Sequence, residues 1–267
     1  MRLRNLVTLA LTACALAACS LFVGLDDLQG GATPGDAALA DASNDASNAD
    51  AVVDSGSDAT AQDAAADAAL DIQFVQVAAF GFNDAGTGSL DIPRVQPGDT
   101  LIVALDVDIA TSTVTVTDDQ GDTFAVVVGP YDDGVVGDRA ITFAAIGVPA
   151  PGPTQITIAI DPATSVEVYI HEYSGITAFD VGIVGASSST ATDGLASGFV
   201  TTAVANELLF AYAGSSEAAT AGTGFTPRSS FNDNVSEDRI AGPPGAYQAT
   251  ATLSSGASGN IMLSCFR

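Results

Sequence analysis

Thr113-Val114-Thr115-Val116-Thr117 alternates a polar and an apolar β-branched residue at every step. A two-residue period is the repeat of a strand with one face on a core, and it does not fit the 3.6-residue repeat of an amphipathic helix. The same signal recurs from Asp71 onward. Ile72-Gln73-Phe74-Val75-Gln76-Val77 opens it, and Thr100-Leu101-Ile102-Val103-Ala104-Leu105 follows. Asp118-Asp119-Gln120-Gly121-Asp122 predicts a hairpin turn carrying residues 113–117 into a strand over 123–128. Further strands are predicted over 139–146, 154–160, 165–173, 199–204, 207–213, 246–253 and 260–267. Gly, Pro and Asp clusters punctuate them, and no long window carries a helical apolar stripe. The expected fold is all-β, an antiparallel β-sandwich of jelly-roll type forming one domain over residues 71–267. The alternative is two smaller sandwiches with a cut near residues 175–194.

The first twenty residues have a different grammar. Arg2 and Arg4 precede an apolar run from Leu6 to Ala18, followed by small residues. A helix needs about 20 apolar residues to cross a bilayer, so this shorter run reads as a secretion signal and not as a span. Leu16-Ala17-Ala18-Cys19 closes it. This tetrapeptide after a short signal resembles the lipobox of bacterial lipoproteins. The resemblance implies cleavage between Ala18 and Cys19, a diacylglycerol thioether on the Cys19 sulfur and an acylated Cys19 amino group. Several acyl chains anchor far more firmly than one. The expected location is the cell envelope, at the outer membrane or cell surface if the host is diderm, where Ser20 after the cysteine is compatible with export.

Between the lipobox and the β-rich part, composition changes again. Residues 20–70 hold ten aspartates and fifteen alanines, and Asp41-Ala42-Ser43-Asn44 repeats at once as Asp45-Ala46-Ser47-Asn48. Such a stretch cannot bury enough apolar surface to offset about 1–2 kcal/mol of backbone entropy per residue. The reading is therefore a signal peptide over 1–18, a lipidated N-terminus with a disordered Asp/Ala-rich linker over 19–70, and a β-sandwich domain over 71–267.

Charge narrows the partners. The chain carries 32 acidic residues against 7 basic ones, all of them arginine, for a formal net charge of −25. Nucleic acid binding needs a clustered positive surface, so that class is excluded. Partners that fit are a membrane, through acylated Cys19, and a glycan or envelope protein.

Cysteines point the same way. Of the 3 cysteines, Cys14 lies in the removed segment and Cys19 is blocked by lipid, which leaves Cys265 without a disulfide partner. Alternation places it beside Ile261 and Leu263, as a buried, inert thiol.

Glu172-Tyr173-Ser174-Gly175, Thr201-Thr202-Ala203-Val204-Ala205-Asn206-Glu207-Leu208-Leu209-Phe210, Glu237-Asp238-Arg239 and Ala246–Leu253 resemble a β-rich module of secreted bacterial proteins, often found beside fibronectin-type or Ig-like repeats. The resemblance covers about residues 100–267. It implies an extracellular β-sandwich and no particular chemistry.

Catalytic signals are sparse. The single histidine, His171, must serve any Ser-His or Cys-His arrangement. Alternation along Val166–Tyr173 puts it with Glu167, Tyr169 and Tyr173, away from Val166, Val168 and Ile170, and predicts a solvated surface histidine. No nucleophile elbow, zinc motif or phosphate loop is present. The expectation is a non-enzymatic module without a cofactor, serving adhesion, scaffolding or ligand recognition. The alternative is a secreted carboxylate-dependent hydrolase such as a glycosidase. Glu172 falls on the aliphatic face and requires a partner, with Arg239 and Arg267 as candidates for a structural ion pair. Asp118, Asp119 and Asp122 are the local candidates for calcium, although turn-forming aspartates explain them more simply. Tyr131, Tyr169, Tyr173, Tyr212 and Tyr247 offer candidate stacking faces for a sugar.

Overall fold

The computed structural model describes residues 71–108, 112–132, 138–185, 194–254 and 258–267. The expected signal peptide over 1–18, with Ala18, the expected lipidation site Cys19 and the Asp/Ala-rich stretch lie outside these residues. The described part is all-β: its strands pair antiparallel and its sheets stack face to face, and the one short helical element is a single 3₁₀ turn at Phe231–Asp233.

Six strands make the first sheet: β1 (Gln73–Val95), β2 (Thr100–Val107), β3 (Thr113–Asp118), β4 (Ala125–Asp132), β5 (Arg139–Ala145) and β6 (Gly152–Ser174). Their order is β1-β6-β2-β5-β4, with β3 also on β6. Both β1 and β6 are 23 residues long and pair along their lengths, with register shifts between Phe82 and Thr87. β2 pairs with the second half of β6 (166–173) and β3 with the first (156–161). Ile156, Ile158 and Ile160 from one half meet Val166, Val168 and Ile170 from the other in a single aliphatic cluster with Leu101, Val103 and Leu105. The sheet is thus folded over on itself, and its two halves form a sandwich. At the bend the Phe82 ring occupies the place that a Cβ on Gly88 would take, 2.3 Å away, so only glycine fits there.

The remaining strands are β7 (Phe179–Val184), β8 (Leu195–Ala196), β9 (Val200–Thr201), β10 (Leu208–Ser215), β11 (Ala219–Ala221), β12 (Thr226–Ser229), β13 (Val235–Ile240), β14 (Ala246–Tyr247), β15 (Thr250–Leu253) and β16 (Gly259–Phe266). A second sheet runs β12-β13-β10-β16-β7. One of its faces packs on the short sheet β11-β15-β8 through Leu209, Ala211, Leu263 and Cys265. The other meets the first sheet through Phe210, Tyr212, Met262 and Phe266 against Ile102, Ala104, Tyr169 and Tyr173. The two central sheets are therefore covered on both faces. Their middle strands β2, β10 and β16 show nearly continuous burial in place of alternation.

Several sequence expectations need correction. The Asp118–Asp122 turn does not close a hairpin: β3 pairs with β6 and β4 pairs with β5. The turn signal is local, whereas the choice of neighbour is made by the apolar face of β3, which is drawn to the folded half of β6. The predicted strands 154–160 and 165–173 are one continuous strand. The predicted strand 199–204 shrinks to Val200–Thr201, and 246–253 splits in two. β7, β12 and β13 carry little two-residue signal, because β7 is half-buried throughout and β13 is buried on both faces.

Candidate functional site

The second half of β6 turns Glu167, Tyr169, His171 and Tyr173 toward the second sheet, where β13 and the turn before it supply Asn232, Asn234, Ser236 and Asp238. Asn232 Nδ2 donates to Glu167 Oε1 (3.1 Å), Asn234 Nδ2 donates to the Tyr169 hydroxyl (3.1 Å), His171 Nε2 meets Ser236 Oγ (2.8 Å), and the Tyr173 hydroxyl donates to Asp238 Oδ2 (2.6 Å). All four pairs have the same sequence offset, 65 residues. Such constancy means that β6 and β13, in different sheets, run in the same direction across the interface with the same two-residue repeat. The result is a polar ladder between two sheets, flanked by the Tyr169–Tyr212 and His171–Phe210 ring contacts at 5.0 and 4.8 Å.

His171 is wholly buried in this ladder and not on a solvated face. The expectation failed because the polar face of β6 is covered by an equally polar face of another sheet. Burial pushes the imidazole down to about 3, so it is neutral. The nearby serine does not make a nucleophile. Ser236 is itself sealed, and among the described residues no carboxylate accepts from His171 Nδ1, so neither substrate access nor a third orienting group is in place.

Glu172 is buried as expected, but its partners are not arginines. Its carboxylate accepts from Gln76 Nε2 and from the Gln96 backbone N–H (3.0 Å). It also hydrogen-bonds Asp99, whose carboxyl is pushed up to about 7 by burial first and then by Glu172's hydrogen bond and charge. Arg239 instead lies over the Phe225 and Tyr247 rings, and Arg267 closes the last strand through its backbone with Thr177 and Ala178. Strand alternation puts Glu172 and those arginines in different layers.

Asp118 caps its own turn, its Oδ1 accepting from the backbone of Gln120, Gly121 and Asp122. Asp119 accepts from the Gln155 N–H (3.0 Å). Burial and a hydrogen bond to Asp118 push the Asp122 carboxyl up to about 6. Among the described residues no three His, Cys, Asp or Glu side chains converge to hold a metal ion. Of the five tyrosines, Tyr169, Tyr173 and Tyr212 are core residues and cannot stack on a sugar, whereas Tyr131 and Tyr247 are partly exposed. Cys265 is fully buried with Ile261 and Leu263, and burial pushes its thiol up to about 12.

At the Tyr173 end the ladder reaches solvent in a cleft of about 250 Å³, lined by Ile72, Phe74, Tyr173, Leu208, Arg228 and Asp238. Arg228 Nε donates to Asp238 Oδ2 (2.8 Å), the same oxygen that Tyr173 engages, and the guanidinium lies 4.1 Å above the Phe74 ring. Neither family models nor curated proteins match this chain. The case for a site accordingly rests on its own geometry. Sequence reasoning passed over Phe74, Arg228 and Ser236. A signal for Arg228 did exist: in a chain without lysine, each arginine beyond the first twenty residues is scarce enough to ask what it holds.

Proposed function

We propose that this chain is a membrane-anchored surface lipoprotein, held through acylated Cys19, whose β-sandwich is a non-enzymatic module for ligand recognition with a glycan as the favoured ligand. The observation that carries the recognition reading is the open cleft at the Arg228 end of the ladder. It combines a fixed guanidinium, a buried acid and aliphatic walls, the mixture of few polar anchors and apolar surface that small-ligand sites use. The histidine–serine pair, by contrast, has no access to solvent.

A glycan array probed with the Cys19→Ser chain tests the recognition half. Binding above background that is lost in an Arg228→Ala chain supports it, and an array without signal removes the glycan. Acyl labelling tests the anchor: Cys19→Ser should abolish label and release the protein from membranes, and retention of both would refute it. The hydrolase alternative draws on the Asp99–Glu172 carboxyl pair, whose side chains are hydrogen-bonded to each other but covered, with Asp99 6% and Glu172 1% exposed. Polysaccharide hydrolysis that disappears in Glu172→Gln would favour that alternative.

A further inference from the structure

Two arginines of the described structure form ion pairs, and they use their donors differently. Arg139 commits all three nitrogens: Nε and Nη2 to the two oxygens of Asp132 (2.6 and 3.1 Å), and Nη1 to the Ser112 carbonyl (2.8 Å). Its guanidinium is finished. Arg228 donates to a carboxylate only through Nε, although Asp238 sits against it. Among the described residues its terminal nitrogens make no hydrogen bond to a carboxylate, the Tyr173 hydroxyl is a neighbour, and the side chain lines the cleft. The group is nevertheless fixed, because Asp238 is 4% exposed at its side chain, the Phe74 ring supports the guanidinium plane, and β12 holds its backbone. An immobilised guanidinium with an open edge is the arrangement that binds carboxylates at low entropic cost, since a planar fork matches two carboxylate oxygens.

The rest of the lining sets the shape of the acid. Ile72, Leu208 and Ile240 give the cleft an aliphatic side, while Gln73, Thr226 and Asp238 put an amide, a hydroxyl and a carboxylate on it. Gln73 and Thr226 are exposed, so beside the acid they offer hydrogen-bonding groups to a polar ligand that a purely apolar acid would not use. A cleft of about 250 Å³ has room for one sugar ring with its substituents. Building on the recognition reading above, we propose that this cleft binds a carboxylate-bearing sugar unit, a uronate, with its carboxylate on the terminal nitrogens of Arg228 and its hydroxyls on Gln73, Thr226 and Asp238. The ring's C–H face then lies on the Ile72–Leu208–Ile240 side.

The test uses the purified full chain, titrated separately with sodium glucuronate, glucose and sodium acetate and followed by calorimetry or by NMR of the arginine side chains. Glucuronate is expected to bind at least tenfold more tightly than either glucose or acetate, because only it supplies both the acid and the hydroxyls. Arg228→Lys keeps the charge but removes the fork, and is expected to lose at least tenfold for glucuronate with little change for glucose. Equal affinity for glucuronate and glucose in the wild-type chain overturns the acidic class, and this arm does not depend on whether a variant folds. Equal affinity for glucuronate and acetate overturns the sugar. A positive glycan array with full glucuronate binding in Arg228→Lys overturns the site and leaves the recognition reading standing. An empty array together with no glucuronate binding removes both.

Discussion

The two faces of β6 are both buried and could hardly be more different. Val166, Val168 and Ile170 fill an aliphatic cluster in which alternation, apolarity and burial agree. One residue over, Tyr169, His171 and Tyr173 are buried as deeply and Glu167 is half-buried, in a row of hydrogen bonds to another sheet. The first face needs only shape and transfer from water. The second needs each polar atom to find a partner, because an unpaired buried donor or acceptor costs about 1–3 kcal/mol. Burial therefore does not follow polarity along this strand. It follows the presence of a second sheet with a matching polar face.

Substitutions on the two faces should separate these mechanisms. Ile170→Ala, on the aliphatic face, should cost the most, about 2–5 kcal/mol, since the cluster around a 1% exposed isoleucine relaxes only partly over a cavity. Urea denaturation reads this as a lower midpoint with an unchanged slope, and a loss under 1 kcal/mol would mean that the core is not close-packed there. On the polar face, Tyr173→Phe keeps the ring and removes one donor from Asp238, which retains Arg228. Its expected cost is about 1–3 kcal/mol. A cost equal to that of Ile170→Ala would show that the two faces are held by the same physics after all.

Acidity should act on the two faces in opposite directions. His171, on the ladder face, has its folded pKa depressed to about 3. Its contribution is complete above about 6.5, its unfolded value, and is lost as pH falls through 3. Asp99, which meets Glu172 on the aliphatic face, is raised to about 7, and burial raises Glu237 to about 7 as well. Their contribution is complete below about 4 and is lost as pH rises through 7. Between about pH 4 and 6.5 the two trends offset each other. Asp99→Asn should weaken the loss toward pH 7 and leave acid lability, whereas His171→Gln should do the reverse. Melting temperatures across pH 3–8 measure both, and identical profiles for the two variants would sink the assignment.

The smallest expected effect is at Cys265, beyond both faces of β6. The thiol is fully buried and its pKa is pushed up to about 12, so an aromatic disulfide reagent at pH 8 should leave it unmodified until urea unfolds the chain. Peptide mapping that finds Cys265 modified in the native protein would place the covering sheet β11-β15-β8 in motion.

Strand identity was largely legible, since Thr113–Thr117, Thr100–Leu105 and Ile261–Phe266 declare themselves by β-branched and apolar runs. Neighbour choice was not, as the Asp118–Asp122 turn shows, because a turn constrains four or five residues while pairing is decided by faces distant in sequence. The candidate site was less legible still. Phe74, Tyr173, Arg228 and Asp238 come from four strands of two sheets, and nothing local relates them.

What the sequence determined by itself is the class of structure and the state of single residues. Period-two patterning requires strands, and the β-branched and apolar content requires that they bury a face. The apolar company of Cys265 requires an inert thiol. Which polar residues are surface and which are interior was decided only by tertiary structure, because a strand's pattern records the difference between its two faces and not what covers each. His171 is the measure of this: its neighbours in sequence assign it to the polar side of β6, and only the arrival of β13 at a constant offset of 65 residues turns that side into the inside.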